Sequence, residues 1–273
     1  MIQPAAVNPS DIRDFLAENP KLRARDAADA LGIAEAQLVA ARVGRGATRI
    51  AAHPDRIIPA AEQLGEVLAL TRVDACVHEK VGEYGAYHPG QHAAMTLTEN
   101  IDLRIFPAHW VHAFAVETET EHGPRRSLQI FDAAGDAVHK IHLRDASHHD
   151  VWAGLIAGLA AADQSDSQAA VARTPVEAPK SRADKADILR EEWAKLTDTH
   201  QFLRLCSKLK MNRLGAYRIA GAPWVRALEP DAADRMLKAV QDAGIEVMIF
   251  VGNQGCIQIH TGPVRTLKPM GPW

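Results

Sequence analysis

The sequence predicts an α+β protein of two tandem repeats, each an antiparallel sheet with flanking helices, the second repeat incomplete. Three observations predict it. The chain opens with the apolar spacing of helices, and after Gly65 it changes to the two-residue period of strands. Near its end the order helix, glycine, hairpin returns. The repeat shows where Leu64-Gly65 and Val81-Gly82 are compared with Ala243-Gly244 and Val251-Gly252.

Pro9-Ser10-Asp11 opens the first helix, Ile12, Phe15 and Leu16 give it one apolar face, and Asn19-Pro20 stops it. A helical pair follows over 25–31 and 34–42 around a Leu-Gly-Ile turn, with Leu31, Ile33, Leu38 and Val43 inward. Strands are expected at 67–71, 75–79, 94–97, 101–106, 113–116, 127–131 and 137–143, as one meandering antiparallel sheet. Asp132-Ala-Ala-Gly135-Asp136 reads as a hairpin loop. Trp152, Leu155, Ile156 and Leu159 close the unit as an amphipathic helix. Residues 163–183 are rich in Ser, Gln, Pro and charge, too poor in large apolar side chains to order themselves. They read as a linker between a first repeat at 1–162 and a second at 184–273.

In the second repeat a helix is expected around 188–210, and another after Pro230 that ends at Gly244. Residues 245–251 and 256–261 flank Gly252-Asn-Gln-Gly255 as a hairpin. A sheet begun by this hairpin and not completed should expose an edge or pair with another molecule, so a homo-oligomer is one expectation.

Composition narrows the function classes. With 47% apolar and 24% charged residues the chain is ordinary for a globular protein. Its net charge of -3 gives no overall basic field, so neither nucleic acid nor an anionic membrane surface is expected to attract it. There is no cationic leader with an apolar core, and no apolar run of about 18 residues. A cytoplasmic protein without membrane insertion is the expectation. Cys76, Cys206 and Cys256 are few and far apart, which argues against disulfides and paired-cysteine zinc sites; they are read as reduced and mostly buried.

Trp193-Ala-Lys-Leu-Thr-Asp-Thr-His-Gln-Phe202 sets His200 near a helix start, where it is a candidate metal or haem ligand, a general base, or a partly exposed helix residue. Other histidines lack the geometry of a metal cluster. His139 and His142 fall on opposite faces of a strand, Pro89-Gly90 breaks any helix between His88 and His92, His109 and His112 lack a third ligand, and His148-His149 reads as an exposed pair. Arg104, inside the apolar run Leu103-Arg-Ile-Phe106, is either an outward residue of an alternating strand or a buried guanidinium that needs an oxygen partner. Arg213 carries the same ambiguity. The helix, Leu-Gly-Ile turn and helix of 25–42 has the outline of a helix-turn-helix DNA-binding regulator, but its second helix begins Ala-Glu-Ala-Gln and offers no cation there. No Gly-rich phosphate loop, nucleophile elbow or paired-carboxylate motif is present.

Seven segments in register then carry a resemblance. They are Asn19-Pro-Lys-Leu-Arg-Ala-Arg-Asp-Ala-Ala, Leu31-Gly-Ile with Glu35, Val77-His-Glu-Lys-Val-Gly82, Asp102-Leu-Arg-Ile-Phe106, Ser127-Leu-Gln-Ile-Phe-Asp132, Leu196-Thr-Asp-Thr-His-Gln-Phe202 and Phe250-Val-Gly-Asn-Gln-Gly-Cys-Ile-Gln-Ile-His-Thr-Gly262. Together they resemble the HemS/HmuS-type cytoplasmic haemin-binding and haemin-degrading proteins of bacterial haem uptake, over essentially the whole chain. The resemblance implies two structural repeats with haem held between helices and the sheet of the second. It makes His200 the axial iron ligand and puts Arg104 on the other face of the haem. It sets Arg213 near a propionate and marks His78 for a second haem site in the first half. It also implies haem as ligand or substrate, and a haem oxygenase or an inner-membrane haem importer as partner. Carrier and enzyme stay open: no flavin or nicotinamide motif is present, so ring opening would need an external reductant.

Overall fold

Asn8 accepts a hydrogen bond from the Ser10 amide and Pro9 occupies the first helical position, so α1 (Pro9–Glu18) begins where its local signals place it. The computed structural model describes residues 7–198 and 201–270. After α2 (Ala24–Leu31) and Gly32, α3 (Glu35–Ala40) packs Ala36, Val39 and Ala40 onto Phe114 and Phe131. Every residue of α3 except Gln37 is buried, and Glu35 pairs with Lys140 and Arg72 beneath it. A DNA-reading helix must present a free face to the major groove. The helix-turn-helix alternative is therefore corrected: 25–42 is a packing hairpin.

The first half continues through β1 (Ala47–Arg49), α4 (Pro54–Glu62), β2 (Val67–Val73), β3 (Cys76–Gly82) and β4 (Tyr87–His88). Then come β5 (Ala94–Leu97), β6 (Asp102–Ile105), β7 (His112–Thr118), β8 (Arg125–Phe131), β9 (Ala137–Leu143) and α5 (Trp152–Leu159). β1 and α4 were not expected. The second half holds α6 (Ala186–Ala194), α7 (Gln201–Lys208), α8 (Arg213–Ala220), α9 (Ala232–Asp242), β10 (Glu246–Gly252) and β11 (Cys256–Pro263). The single helix expected around 188–210 is thus two, α6 and α7. Between them lie Thr197, Asp198 and Thr199, residue types that favour caps over helix interiors.

The expected single meander is corrected to two sheets. One has the order β1-β7-β8-β9-β2-β3, the other β10-β11-β6-β5-β4. Ala94, Leu103 and Ile105 are wholly buried, and they share one core with Val67, Ala69, Leu128, Ile130 and Ile141. Strands of one sheet cannot cover each other's faces, so β5 and β6 bury theirs by stacking a second sheet on the first. The hairpin β10–β11 repeats β2–β3 in its lead-in as well: α4 and α9 each pass into their hairpin through a left-handed glycine, Gly65 at φ 66° and Gly244 at φ 64°.

The chain forms two compact units. One runs to Arg173 and includes Glu246–Pro263; the other is Thr174–Ile245 with the residues from Val264. This division differs from the expected 1–162, 163–183 and 184–273, because the hairpin assigned to the second repeat is built into the first unit. There Trp110 Nε1 donates to the Gly255 carbonyl at 3.1 Å, Asn253 Nδ2 to the Val138 carbonyl at 2.8 Å and Gln258 Nε2 to the Ala69 carbonyl at 3.1 Å. The expected linker is also shared out. Arg49 donates to the carbonyls of Ser165 and Ser167, and Arg173 makes a two-pronged pair with Asp136. Polar bonds do for this segment what apolar burial does not.

Candidate functional site

Directly opposed residues of an antiparallel pair point to the same side of a sheet. In the second sheet this sorts the side chains into two sets. Ala94, Leu103, Ile105, Cys256 and Gln258 face the first sheet and are buried. The outer side carries cross-strand rows: Gly252, Ile257, Arg104 and Met95 in one, Phe250, Ile259, Asp102 and Leu97 in the next, then Met248 and Thr261. Met248 is 56% exposed, Phe250 58% and Leu97 42%. Large apolar side chains left open on one sheet face mark a binding surface.

Arg104 stands in this apolar wall, half-buried, and its guanidinium is ion-paired with Asp102 two residues earlier on the same face. Both readings of Arg104 thus hold in part: it points outward along an alternating strand, and it has a carboxylate partner. Gly252 adds no side chain to the Arg104 row, so the wall is flat there. A flat apolar surface with one anchored cation suits a flat, mainly apolar ligand with a polar group over the cation. Asp102, Met248, Phe250 and Ile257 were not picked out as site residues from the sequence. Val247 to Val251 is apolar at every position, so alternation could not say which side chains face out.

His78 lies elsewhere. It projects from β3 toward β11, where Nδ1 is 3.2 Å from the Gln258 carbonyl oxygen. Burial lowers its pKa from the ordinary 6.5; the Gln258 carbonyl opposes this, and neighbouring His260 and Lys80 reinforce it. A carbonyl accepts only a proton donor, so the neutral ring carries its hydrogen on Nδ1 and leaves the Nε2 lone pair free. Arg213 opens α8 in the second unit. His200 lies outside the described residues, immediately before α7, whose Phe202, Leu205 and Cys206 are buried. Phe202 stacks on Tyr217 at 5.4 Å and sits 4.3 Å from Trp193, ring centre to ring centre.

The remaining histidines serve the fold. His139 is fully buried in the first unit, with Thr71 Oγ1 2.8 Å from Nδ1, the Tyr84 hydroxyl on Nε2 and Trp110 stacked on the ring. Burial pushes its pKa down to about 3, so it is a neutral core residue. His142 takes the opposite face, as the strand period requires, and burial lowers it to about 4. His148-His149 is not an exposed pair: His149 is half-buried with Nε2 on the Arg144 carbonyl. Among the described residues no cluster of three or more His, Cys, Asp or Glu is placed to hold a metal ion. Cys206 and Cys256 are buried and Cys76 is exposed at a strand end, so the cysteines are mostly buried, as expected. Burial raises the Cys256 thiol to about 12, which leaves it unreactive. No helix among the described residues is long and apolar enough to cross a membrane.

A family model for the haemin-degrading HemS/ChuX domain matches residues 32–159 and 210–273. This chain belongs to the HemS/ChuX family. Relatives agree along most of its length. The hemin transport protein HmuS of Yersinia pestis is 37% identical over 94% of this chain and 74% of its own. Among solved structures, holo-PhuS, a heme-binding protein of Pseudomonas aeruginosa, is 39% identical with a TM-score of 0.88, over 97% of this chain and 78% of PhuS. ChuS, an Escherichia coli heme oxygenase, is 32% identical with a TM-score of 0.82, over 96% of this chain and 78% of ChuS. The HemS/ChuX domain match spans β2–β9 and the hairpin β10–β11, so it contains all the strands that form the Arg104 wall.

Proposed function

We propose that this protein binds haem as cargo in bacterial iron acquisition, in the cytoplasm, and that the outer wall of the second sheet is one side of the haem site. The observation that carries the reading is the wall itself. Met248, Phe250 and Leu97 offer open apolar surface to a macrocycle, and Arg104, steadied by Asp102, offers a single cation to a polar group above it. Haem-binding relatives at up to 39% identity support the choice of ligand.

By the family resemblance His200 would ligate the haem iron, and Arg104 would offer its charge to a polar group of the bound ligand. Arg213 pairs with a propionate. A second haem at His78 would have to use Nε2, because Nδ1 is engaged by the Gln258 carbonyl. Bound haem supplies redox chemistry with oxygen, while the protein's part is ligation, orientation and exclusion of water. The protein then passes haem from an inner-membrane importer to a haem oxygenase, or opens the ring itself with electrons from an external reductant.

The deciding experiment is a haemin titration read by Soret absorbance, beside His200→Ala. Saturable binding with a band that moves in the variant supports a histidine-ligated haem protein; absence of saturable binding in the unaltered chain rejects it. Carrier and enzyme separate on adding ascorbate and oxygen with catalase present. A defined bilin with released iron identifies the enzyme, and bleaching that catalase suppresses identifies the carrier.

A further inference from the structure

Each sheet has two open edges, β1 and β3 in the first, β10 and β4 in the second. An unpaired edge invites pairing with another chain, and three of these edges carry devices that discourage it. β1 has three residues, β4 has two and runs into Pro89, and β3 has Glu79 and Lys80 in mid-strand. β10 has no such device. It is seven residues long, Val247-Met-Ile-Phe-Val251 is apolar throughout, and Met248, Ile249 and Phe250 are 56%, 38% and 58% exposed.

The internal repeat indicates what belongs there. β10 is the counterpart of β2, each following its left-handed glycine, and β2 is hydrogen-bonded on both sides, to β3 and to β9. Among the described residues β10 is bonded to β11 alone. Its backbone is set for a second neighbour. The Asn253 amide donates to the Cys256 carbonyl at 3.0 Å, and bonded and non-bonded pairs alternate from there. Val247, Ile249 and Val251 therefore direct their amides and carbonyls at β11, while those of Glu246, Met248, Phe250 and Gly252 point to the open edge.

We propose that the occupant of this edge is β10 of a second copy, paired antiparallel about a two-fold axis at Ile249. That register uses all seven residues and joins edge-directed groups to edge-directed groups: Met248 lies opposite Phe250, Glu246 opposite Gly252, and Ile249 opposite itself. The one charge of the strand thus avoids its own copy. The second sheets of two chains become one continuous sheet, and side chains now open at its edge gain a neighbour on either face, Met248 beside Phe250 and Val247 beside Val251. A two-fold pair also closes on itself and leaves no edge of β10 for a third chain. The proposal goes beyond the haem reading and does not depend on it, since it uses β10 alone.

The test is sedimentation velocity of the full chain from about 1 to 100 μM, where a monomer–dimer equilibrium is expected. Ile249→Lys sets two ammonium groups opposite each other and should raise the dissociation constant by about tenfold or more; Ile249→Asp should do the same. Mixed in equal amounts, the two variants should recover the dimer, because opposite charges then meet across the axis. Met248→Pro removes an amide that points to the open edge and none that bonds β11, so it should abolish the dimer and leave the circular dichroism spectrum as it was. Val77→Lys, the same charge on the other long edge, β3, should change nothing. A chain that stays monomeric across that range, a dimer untouched by Ile249→Lys, or variants that fail to recover it on mixing overturn the proposal. So does a different polypeptide that copurifies with the chain and protects the Met248 and Phe250 amides from exchange, by assigning the edge to that occupant. Loss of the Soret titration with the dimer intact refutes the haem reading and leaves this one standing.

Discussion

Glu35→Ala is expected to loosen the first unit severely, because it strands a buried cation. Glu35 is 6% exposed, and its carboxylate bridges Lys140, 10% exposed, and Arg72, 22% exposed. Burial pushes the Glu35 carboxyl up, but Lys140 and Arg72 together outweigh it, and its pKa ends below the ordinary 4.5. Removing one member of such a pair costs about 3–5 kcal/mol, mostly as the penalty of the charge left behind. Arg72 can turn toward water, so Lys140 bears the loss. Its ammonium stands 5.8 Å from the centre of the Phe131 ring, which offsets about 0.5–1 kcal/mol and puts the expectation near the lower end, about 3 kcal/mol. In hydrogen exchange at β8 and β9 amides that is about a hundredfold faster exchange through opening. Glu35→Leu with Lys140→Met removes both charges and should recover most of the loss. Exchange that rises less than about fivefold in Glu35→Ala, or a double variant as loose as the single one, would refute the reasoning. The same pair has an acid signature. A folded pKa below the unfolded one means that its stabilisation is complete above pH 4.5 and disappears as pH falls through the folded value.

Four further outcomes are expected. His139 stays neutral in the fold down to about pH 3 but protonates near 6.5 when unfolded. The His139 contribution should therefore be full above 6.5 and fall by about tenfold in the folding equilibrium per pH unit below it, on top of the similar contribution of His142, so urea titrations from pH 7 to 4 should show a slope about one proton smaller in His139→Asn. Gly215→Ala cannot keep Lys180 in place, because a Cβ there would stand 1.9 Å from the Lys180 carbonyl oxygen. Exchange of the Lys180 and Asn212 amides, which bond each other's residue, should speed by about tenfold or more; unchanged exchange would contradict the close approach. Arg104→Ala should weaken haemin binding by about tenfold, and Arg104→Lys should recover only part of it, because lysine lacks the planar fork. Phe250→Asp, which sets a charge on the open apolar wall, should weaken Soret-detected binding by about tenfold or more without lowering the melting temperature of a side chain already 58% exposed.

Local signals wrote most of the elements. Asn8 with Pro9, the Leu-Gly-Ile turn, Asp132 to Asp136 and Gly252-Asn-Gln-Gly255 each set a cap or turn through a few neighbouring residues, so helices and hairpins were legible along the chain. α4 escaped notice because Pro59 interrupts its helical pattern, though Pro54 and the His53 side chain start it properly. Of the site, Arg104 was legible as a cation in an apolar strand, and His200 as a histidine at a helix start. Asp102, Met248 and Phe250 were not, because membership of a face is settled only by pairing register.

By itself the sequence determined the repeat of helix, glycine and hairpin, the strand and helix periods, and Arg104 as a cation inside an apolar strand. These depend on neighbours within a turn or two. Only the tertiary structure decided that β4–β6 leave the first sheet, that β10–β11 join them, and that α3 is buried instead of free to read DNA. Only it decided that β10 has one neighbour where its counterpart β2 has two. Those outcomes turn on which apolar faces cover one another across long sequence separations, and no local pattern encodes that choice.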